Sequence, residues 1–272
     1  MLLKYKILAA IMLSTFLAHA QHPPVFEGMT TDTSYIVLGD MEVNLVKYSY
    51  GEPSIHFLAI HDNEDTGVKA AFQYIGINGG TIVDCQYGGV RNFKFDIDDE
   101  TYQTDPNSIY TPRGVMAGLE KYDNSSDEVI EELEQAGKRI MKYYNPQKHG
   151  YIFTLHNNAD GGFGITSYLK GYDLDGTADS LHINFQMDPD DMVLVTEIDL
   201  FNRLKKENVN VVLQSLKAPD DGSLSIYAMQ NKIPYVNVEV QHGHIDEHLN
   251  LINICAMVLA EAYPILIKKP AE

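Results

Sequence analysis

Apolar positions along the chain come in short runs broken by Gly, Asn, Asp and Pro, and their spacing switches between two and about 3.6 residues. Tyr35 to Tyr50 alternates as two short strands would, turning near Gly39-Asp40. Ser54 to Ile60 is an apolar run that ends at His61. Val68, Ala71, Phe72 and Ile75 carry helical spacing through Thr66 to Ile77, and Gly79-Gly80 stops it. Thr81 to Tyr87 reads as a strand. Residues 88–124 are rich in Asp, Asn, Gly and Pro and predict a long irregular excursion, a kind of segment that is either functional or disordered.

Beyond it, Ser125 and Glu128 have the spacing of a capping box. Val129, Ile130, Leu133, Ala136, Ile140, Met141 and Tyr144 then share one helical face, which Pro146 and Gly150 bring to an end. Tyr151 to Leu155 predicts a strand that delivers His156. Asp191 to Leu204 reads as a helix, Val209 to Gln214 as a strand, Ser223 to Gln230 as a helix, Tyr235 to Val240 as a strand, and Asp246 to Ala262 as an amphipathic helix. Strands alternating with helices predict an α/β domain with a mostly parallel or mixed central sheet and helices on both faces. In such sheets, sites gather at the carboxyl ends of the strands. His61, His156 and Glu239 all fall at or near strand ends.

Two features outside the periodic pattern narrow the setting. Lys4 and Lys6 precede the apolar run Ile7 to Leu17, and Ala18-His19-Ala20 is a small-x-small sequence, so residues 1–20 have the pattern of a cleaved secretory signal peptide. The run is short for a membrane span, no later run is apolar enough for one, and no Cys follows the cleavage site to carry a lipid. Residues 21–272 then form one domain with a full core, and the expected location is periplasmic or secreted. Removing Lys4 and Lys6 takes the formal net charge from −18 to −20. A surface of that sign repels phosphate backbones and argues against nucleic acid as a partner. Export permits a disulfide, yet Cys85 and Cys255, the only two cysteines, lie in apolar stretches and are expected as buried free thiols.

Three polar clusters carry the candidate chemistry. His61-Asp62-Asn63-Glu64 sets an imidazole and a carboxylate three residues apart on the turn after a strand, a spacing that can grip one metal ion from two sides. His156 closes an apolar strand and offers a third ligand. Glu239 stands inside the apolar strand Asn237-Val238-Glu239-Val240, where an unpaired carboxylate is costly and needs either a partner or a task. General base beside a metal-activated water is such a task. Each cluster alone also fits an ordinary polar loop, a hydrogen-bonded core His or a salt-bridged strand Glu. His242, His244 and His248 form a rival cluster, with His244 and His248 one helical turn apart. Gly243 and the acids Asp246 and Glu247 favour reading this stretch as a loop entering a helix.

In their order, these motifs resemble the zinc carboxypeptidase superfamily, and within it the succinylglutamate desuccinylase and aspartoacylase branch, over roughly residues 55 to 265. The resemblance implies a zinc carboxypeptidase-like α/β fold, Zn2+ held by His61, Glu64 and His156, and Glu239 as the catalytic base. Members of that group also place an Arg and then an Asn-Arg pair between the first and second ligand motifs, to bind the substrate's free carboxylate. Here Arg91 takes the first place. Asn107 matches in Asp105-Pro106-Asn107-Ser108, while Ser108 replaces the second Arg. A hydroxyl cannot make the bidentate clamp of a guanidinium. Either Arg113, five residues on, supplies that charge, or the substrate lacks a free carboxylate there. Tyr227 matches by order alone the tyrosine that carboxypeptidases use near the scissile bond.

The expected activity is zinc-dependent hydrolysis of an amide bond, with Arg91, Asn107 and Arg113 holding the substrate. Export makes a peptide, cell-wall peptides included, a better-fitting substrate than a cytosolic N-acyl amino acid. Two other readings stand beside it: a ligand-binding relative with little or no turnover, which the Ser108 departure raises, and a zinc-dependent saccharide deacylase.

Overall fold

The computed structural model describes residues 22–52 and 54–264, so the segment read as a signal peptide lies outside the described residues. Strands β1 (Thr30–Leu38) and β2 (Met41–Tyr50) form an antiparallel hairpin in which Leu38 pairs with Met41 across Gly39-Asp40. Gly39 has φ +53°, and a Cβ there would meet the Asp96 carbonyl oxygen at 2.2 Å, so the turn requires glycine. The chain continues into β3 (His56–Ala59), β4 (Gly80–Gln86), β7 (Ile152–Asn158), β8 (Ala178–His182), β9 (Met192–Val195), β10 (Val211–Gln214) and β11 (Tyr235–Gln241). Together these strands make a nine-stranded mixed sheet in the order β1-β2-β4-β3-β7-β11-β9-β10-β8. Its centre, β4-β3-β7-β11, is parallel, and β9 runs against β11.

Helices cover both faces, as the alternating pattern predicts. On one face α1 (Asp65–Asn78), α5 (Ile198–Lys206) and α7 (Ile245–Ala262) bury Val68, Phe72, Leu200, Leu251 and Cys255 against Phe57, Phe153 and Val238. On the other, α2 (Pro112–Glu120), α3 (Asp127–Tyr144) and α6 (Leu224–Asn231) bury Val115, Leu133, Ile140 and Leu224 against Leu58, Ile152 and Met192. A single turn, α4 (Pro146–His149), follows α3 after Asn145 in the left-handed region. The face of α3 lies as its spacing predicts, except that Ile130 is only partly buried. Its cap is Ser126 rather than Ser125: the Ser126 hydroxyl accepts from the Val129 N–H at 3.2 Å. Cys85 and Cys255 are buried free thiols on opposite faces of the sheet.

Two expectations are corrected. Residues 88–124 are not irregular: they hold the hairpin β5 (Phe93–Ile97) and β6 (Glu100–Thr104), a turn of 3-10 helix at Pro106–Ser108, and α2. Phe93 and Phe95 point into the core while Lys94 and Asp96 face out, and Asp98-Asp99, both at positive φ, make the two-residue turn that the twist of a hairpin favours. Density of turn-forming residues hid a clean alternation. Residues 191–204 do not form one helix, since Met192–Val195 is the strand β9 and the helix α5 starts at Ile198. A four-residue apolar run fits either state by periodicity, and burial between β10 and β11 decides for strand.

Strands β3 and β7 share a single ladder pair, Leu58 with Thr154. Two tyrosines bridge them where the ladder is short. Tyr144 OH accepts from the Phe153 N–H at 3.1 Å and donates to the His56 carbonyl at 2.9 Å, and Tyr151 OH accepts from the His56 N–H at 2.9 Å. These bonds fix the relative height of the two strands, and with it the two histidines at their carboxyl ends.

Candidate metal centre

The chain leaves β3 at Ala59 and turns tightly, with the Glu64 N–H donating to the His61 carbonyl at 3.2 Å. The turn puts both side chains on one side. Glu64 occupies the N-cap of α1 but makes no cap bond of its own. Asn157 of β7 caps the helix instead, its Oδ1 accepting from the Thr66 and Gly67 N–H groups at 3.0 and 3.4 Å. The Glu64 carboxylate is thereby available to the histidines, and its Oε2 accepts from the Asn157 N–H at 3.1 Å.

His61 Nδ1 lies 3.1 Å from His156 Nδ1 and 3.0 Å from Glu64 Oε1, and His156 Nδ1 lies 2.9 Å from Glu64 Oε2. All three residues are buried, at 1%, 3% and 4% exposure for His61, Glu64 and His156. Tetrahedral zinc with bonds of about 2.0–2.2 Å separates its donors by about 3.3–3.6 Å, so the triangle is slightly contracted from one face of such a site. Among the described residues this is the group of His, Cys, Asp and Glu side chains able to hold a metal ion. The outer contacts agree with that use. Asp105 Oδ1 accepts from His61 Nε2 at 2.8 Å, which turns the Nδ1 lone pair toward the cluster, the arrangement by which a carboxylate orients a metal-binding imidazole. Two lone-pair nitrogens and a carboxylate meeting at about 3 Å call for a cation between them.

The electrostatics say the same in another way. Burial alone would lower His61, but Glu64 and Asp105 raise its pKa to about 9, so that a proton stands in for a cation. Burial would raise Glu64, yet His61 and His156 hold it well below the usual carboxylate range. Burial lowers His156, whose Nε2 has no hydrogen-bond partner among the described residues. Glu239 is register partner of His156 across β7 and β11, and it is 6% exposed. Burial first and then the charge of Glu64 push its pKa up to about 8.

Glu64, His156 and Glu239 line a cavity of about 910 Å³ at the carboxyl ends of β7, β11 and β10, walled also by the loops that follow β7 and β10. Arg91 lines it too, its guanidinium paired with Glu64 and, at 3.3 Å, with Asp105 Oδ2. Asn107 is also in the wall, its Oδ1 accepting from the Leu224 N–H at 3.0 Å. Arg113 is exposed on α2 beside Asp220 and is not among the lining residues. Ser108 is buried against Gly118 of α2, also outside the cavity wall. Tyr227 lines a separate cavity next to Tyr110.

The rival histidines do not converge. His242 reaches Asp65 at 3.2 Å and lines the main cavity, His244 faces Asp191 at 3.3 Å, and His248 is fully buried in α7 against Gly67. Sequence reasoning gave no role to Asp105 or Asn157. The Asp-Pro start of the 3-10 helix was a signal for the former, since Asp105 accepts from the Asn107 N–H at 2.7 Å as a cap. For Asn157 the only signal was its place next to His156.

No protein-family model matches the chain, and neither does any curated protein sequence. Solved structures similar to it include an aspartoacylase family protein from Mesorhizobium loti, at 15% identity over 93% of this chain and 71% of that one, with TM-score 0.43. A succinylglutamate desuccinylase/aspartoacylase from Rhodobacter sphaeroides is similar at 9% identity over 89% and 69%, with TM-score 0.42. A murein-tripeptide amidase from Escherichia coli O157 is similar at 12% identity over 87% and 92%, with TM-score 0.41. The roles of individual residues rest on the geometry of this chain.

Proposed function

We propose that the protein is an exported, zinc-dependent hydrolase of amide bonds, acting on peptides or N-acyl amino acids. One observation supports it above the others: three buried donor atoms of His61, Glu64 and His156 converge within about 3 Å of one another, with the Glu239 carboxylate on the adjoining strand in register with His156. Zinc in that triangle would supply Lewis-acid polarisation and a more acidic water. Asp105 and Asn157 hold the first His and the Glu in place. Glu239, pushed toward neutrality by burial, has the proton affinity of a general base: it takes a proton from the attacking water and returns it to the leaving amine. Arg91, paired with Glu64 beside the ligand cluster, would bind the carbonyl oxygen as charge develops on it.

Substrate selection is less like a terminal-carboxylate clamp than the resemblance implies. Arg91 is the one Arg or Lys among the residues that line the cavity. Its far wall offers Asn158, Gln214, Thr177, Ser223 and Ser225. These hydroxyl and amide groups, interspersed with the carboxylates of Asp173 and Asp221 and with the Phe163 and Tyr168 rings 6.0 Å apart beside them, favour as a second reading the removal of an acyl group from a saccharide.

The test is zinc-dependent turnover. Metal-stripped protein should bind one zinc per chain and, once loaded, hydrolyse at least one member of a panel of N-acetyl-L-aspartate, N-succinyl-L-glutamate, short peptides and N-acetylated sugars. Zinc bound with no turnover on any of them would favour a binding protein. No zinc bound would overturn the proposal.

A further inference from the structure

Beneath the cavity a row of buried polar groups crosses β7 and β11. Tyr235 OH lies 2.7 Å from Thr154 Oγ1, Thr154 Oγ1 lies 3.1 Å from Asn237 Oδ1, and Asn237 Nδ2 lies 3.4 Å from Glu239 Oε2. Exposures of 2%, 0%, 8% and 6% for Tyr235, Thr154, Asn237 and Glu239 mean that water competes little for any of these bonds. Strand register explains how they meet. Asn237 pairs with Thr154 and Glu239 with His156, and alternate residues share a face, so the row and the ligand His156 look out of the same side of the sheet.

The direction of the bonds is fixed by chemistry. An amide oxygen only accepts, so Thr154 must donate its single proton to Asn237. Thr154 can then only accept from Tyr235, which must donate. With Glu239 ionised, the state in which a base acts, the Asn237 amide is held by its oxygen and turns its NH2 toward Glu239; the flipped amide would set its oxygen against the carboxylate. Every proton in the row therefore points toward Glu239. The carboxylate receives a donor on Oε2, while Oε1 has no hydrogen-bond partner among the described residues.

We infer that Tyr235, Thr154 and Asn237 are positioning residues, a directed hydrogen-bond relay that locks Glu239 through Oε2 and leaves Oε1 as the atom that takes the proton. The inference rests on the reading of Glu239 as base. Without the relay the carboxylate is free to rotate about its last torsion, which is broad and roughly two-fold, and a misplacement of about 1 Å in a reacting group can cost on the order of 10² in rate. Threonine and asparagine in an otherwise apolar sheet core also have a bland explanation, mutual satisfaction of buried groups. The two differ in what they predict: a structural role moves stability, whereas a positioning role moves kcat at unchanged zinc content and KM.

The experiment compares zinc-loaded protein with its Glu239→Gln, Asn237→Leu, Thr154→Val, Thr154→Ser and Tyr235→Phe variants. The probes are p-nitrophenyl acetate and whichever member of the panel is cleaved fastest. Expected losses in kcat are about 10- to 100-fold for Asn237→Leu, about 10-fold for Thr154→Val and a few-fold for Tyr235→Phe, with KM and zinc content unchanged. Thr154→Ser, which keeps the hydroxyl, should restore kcat. If Glu239→Gln abolishes turnover while Asn237→Leu and Thr154→Val stay within about twofold of the parent, the relay is overturned and the base stands. If Glu239→Gln leaves turnover intact, the base assignment fails and the relay with it, and the same follows if the parent shows no zinc-dependent turnover. Should Asn237→Leu not fold, as judged by circular dichroism, the Thr154 Val and Ser variants decide the matter.

Discussion

Strands β3 and β7 lie side by side, and a pair of histidines flanks them at each end. At their carboxyl ends His61 and His156 meet with ring centroids 4.9 Å apart, inclined at 62°, each with Nδ1 directed at the other and at Glu64. At their amino ends His56 and His149 also meet, but stacked, with centroids 3.5 Å apart and planes 21° apart. Stacked rings send their in-plane lone pairs in parallel and cannot converge on one ion. The charges around the pairs differ as well. Glu64 and Asp105 surround the first pair, whereas Lys47 and Lys148 stand near the second. A histidine pair is thus a candidate metal centre through convergence and acidic company, not through proximity.

The largest effect expected from breaking this contrast is on metal binding. Removing a ligand, as in His61→Ala or His156→Ala, should weaken zinc by more than about 10²-fold, since loss of an outer partner alone costs roughly 10–100-fold. His56→Ala and His149→Ala should leave zinc affinity unchanged, as read by competition with a chromophoric chelator. Equal losses at both ends would mean that the carboxyl-end pair is not the metal centre.

Next in size comes the carboxylate behind His61. Asp105→Asn keeps the shape and a hydrogen bond but allows the other tautomer, so zinc affinity should fall by roughly 10–100-fold. Affinity unchanged in Asp105→Asn would show that packing alone orients the ring.

Much of this arrangement was legible beforehand, and the reason is local. A short apolar run followed by His61, and another holding His156, announced two buried strands that deliver side chains to a common edge. The apolar strand around Glu239 made its carboxylate conspicuous for the same reason. What stayed hidden depends on long-range contacts. Asn157 caps α1 through the N–H of Thr66, 91 residues earlier in the chain, and no local pattern marks that contact. Arg113 matched by spacing alone, yet the turn into α2 carries it out to solvent. The β5–β6 hairpin was visible as Phe93-Lys94-Phe95-Asp96-Ile97 but was outweighed by the turn-forming residues around it.

A smaller effect separates the two ends by pH. Burial first, then His149 and the lysines, lower His56 to about 3, and burial first, with Lys148 and Lys47 adding to it, lowers His149 to about 4. Both folded values lie below the unfolded value near 6.5, so the folded state binds fewer protons. Stability is then complete above pH about 6.5 and falls as pH drops toward the folded values. Neither ring is fully buried, so the loss by pH 4 should be on the order of 1–2 kcal/mol. His149→Phe keeps the stack and removes one titrating group. It should flatten the decline of the melting temperature between pH 6.5 and 4; a decline as steep as in the parent would assign acid sensitivity elsewhere.

The smallest effect belongs to a fifth histidine, at the carboxyl-end rim, and it has the opposite sign. His22 bridges Asp62 Oδ1 and Asp84 Oδ2, at 3.0 Å each. Asp62 stands inside the ligand turn, where its Oδ2 also accepts from the Tyr87 and Gly89 N–H groups at 2.5 and 2.7 Å. Burial would lower His22, but the two carboxylates raise it to about 10. A raised folded value means that the folded state holds the proton more tightly. The contribution is present in full below the unfolded value near 6.5 and disappears as pH rises through about 10. His22 is half-buried and solvent screens the pair, so the effect should stay at or below about 1 kcal/mol. Between pH 7 and 10.5 the parent should therefore lose a few degrees more in melting temperature than His22→Gln, which cannot titrate. The comparison is best made on zinc-loaded protein, where the ligand turn is held independently. If the two proteins lose stability in parallel across that range, His22 does not bear the charge.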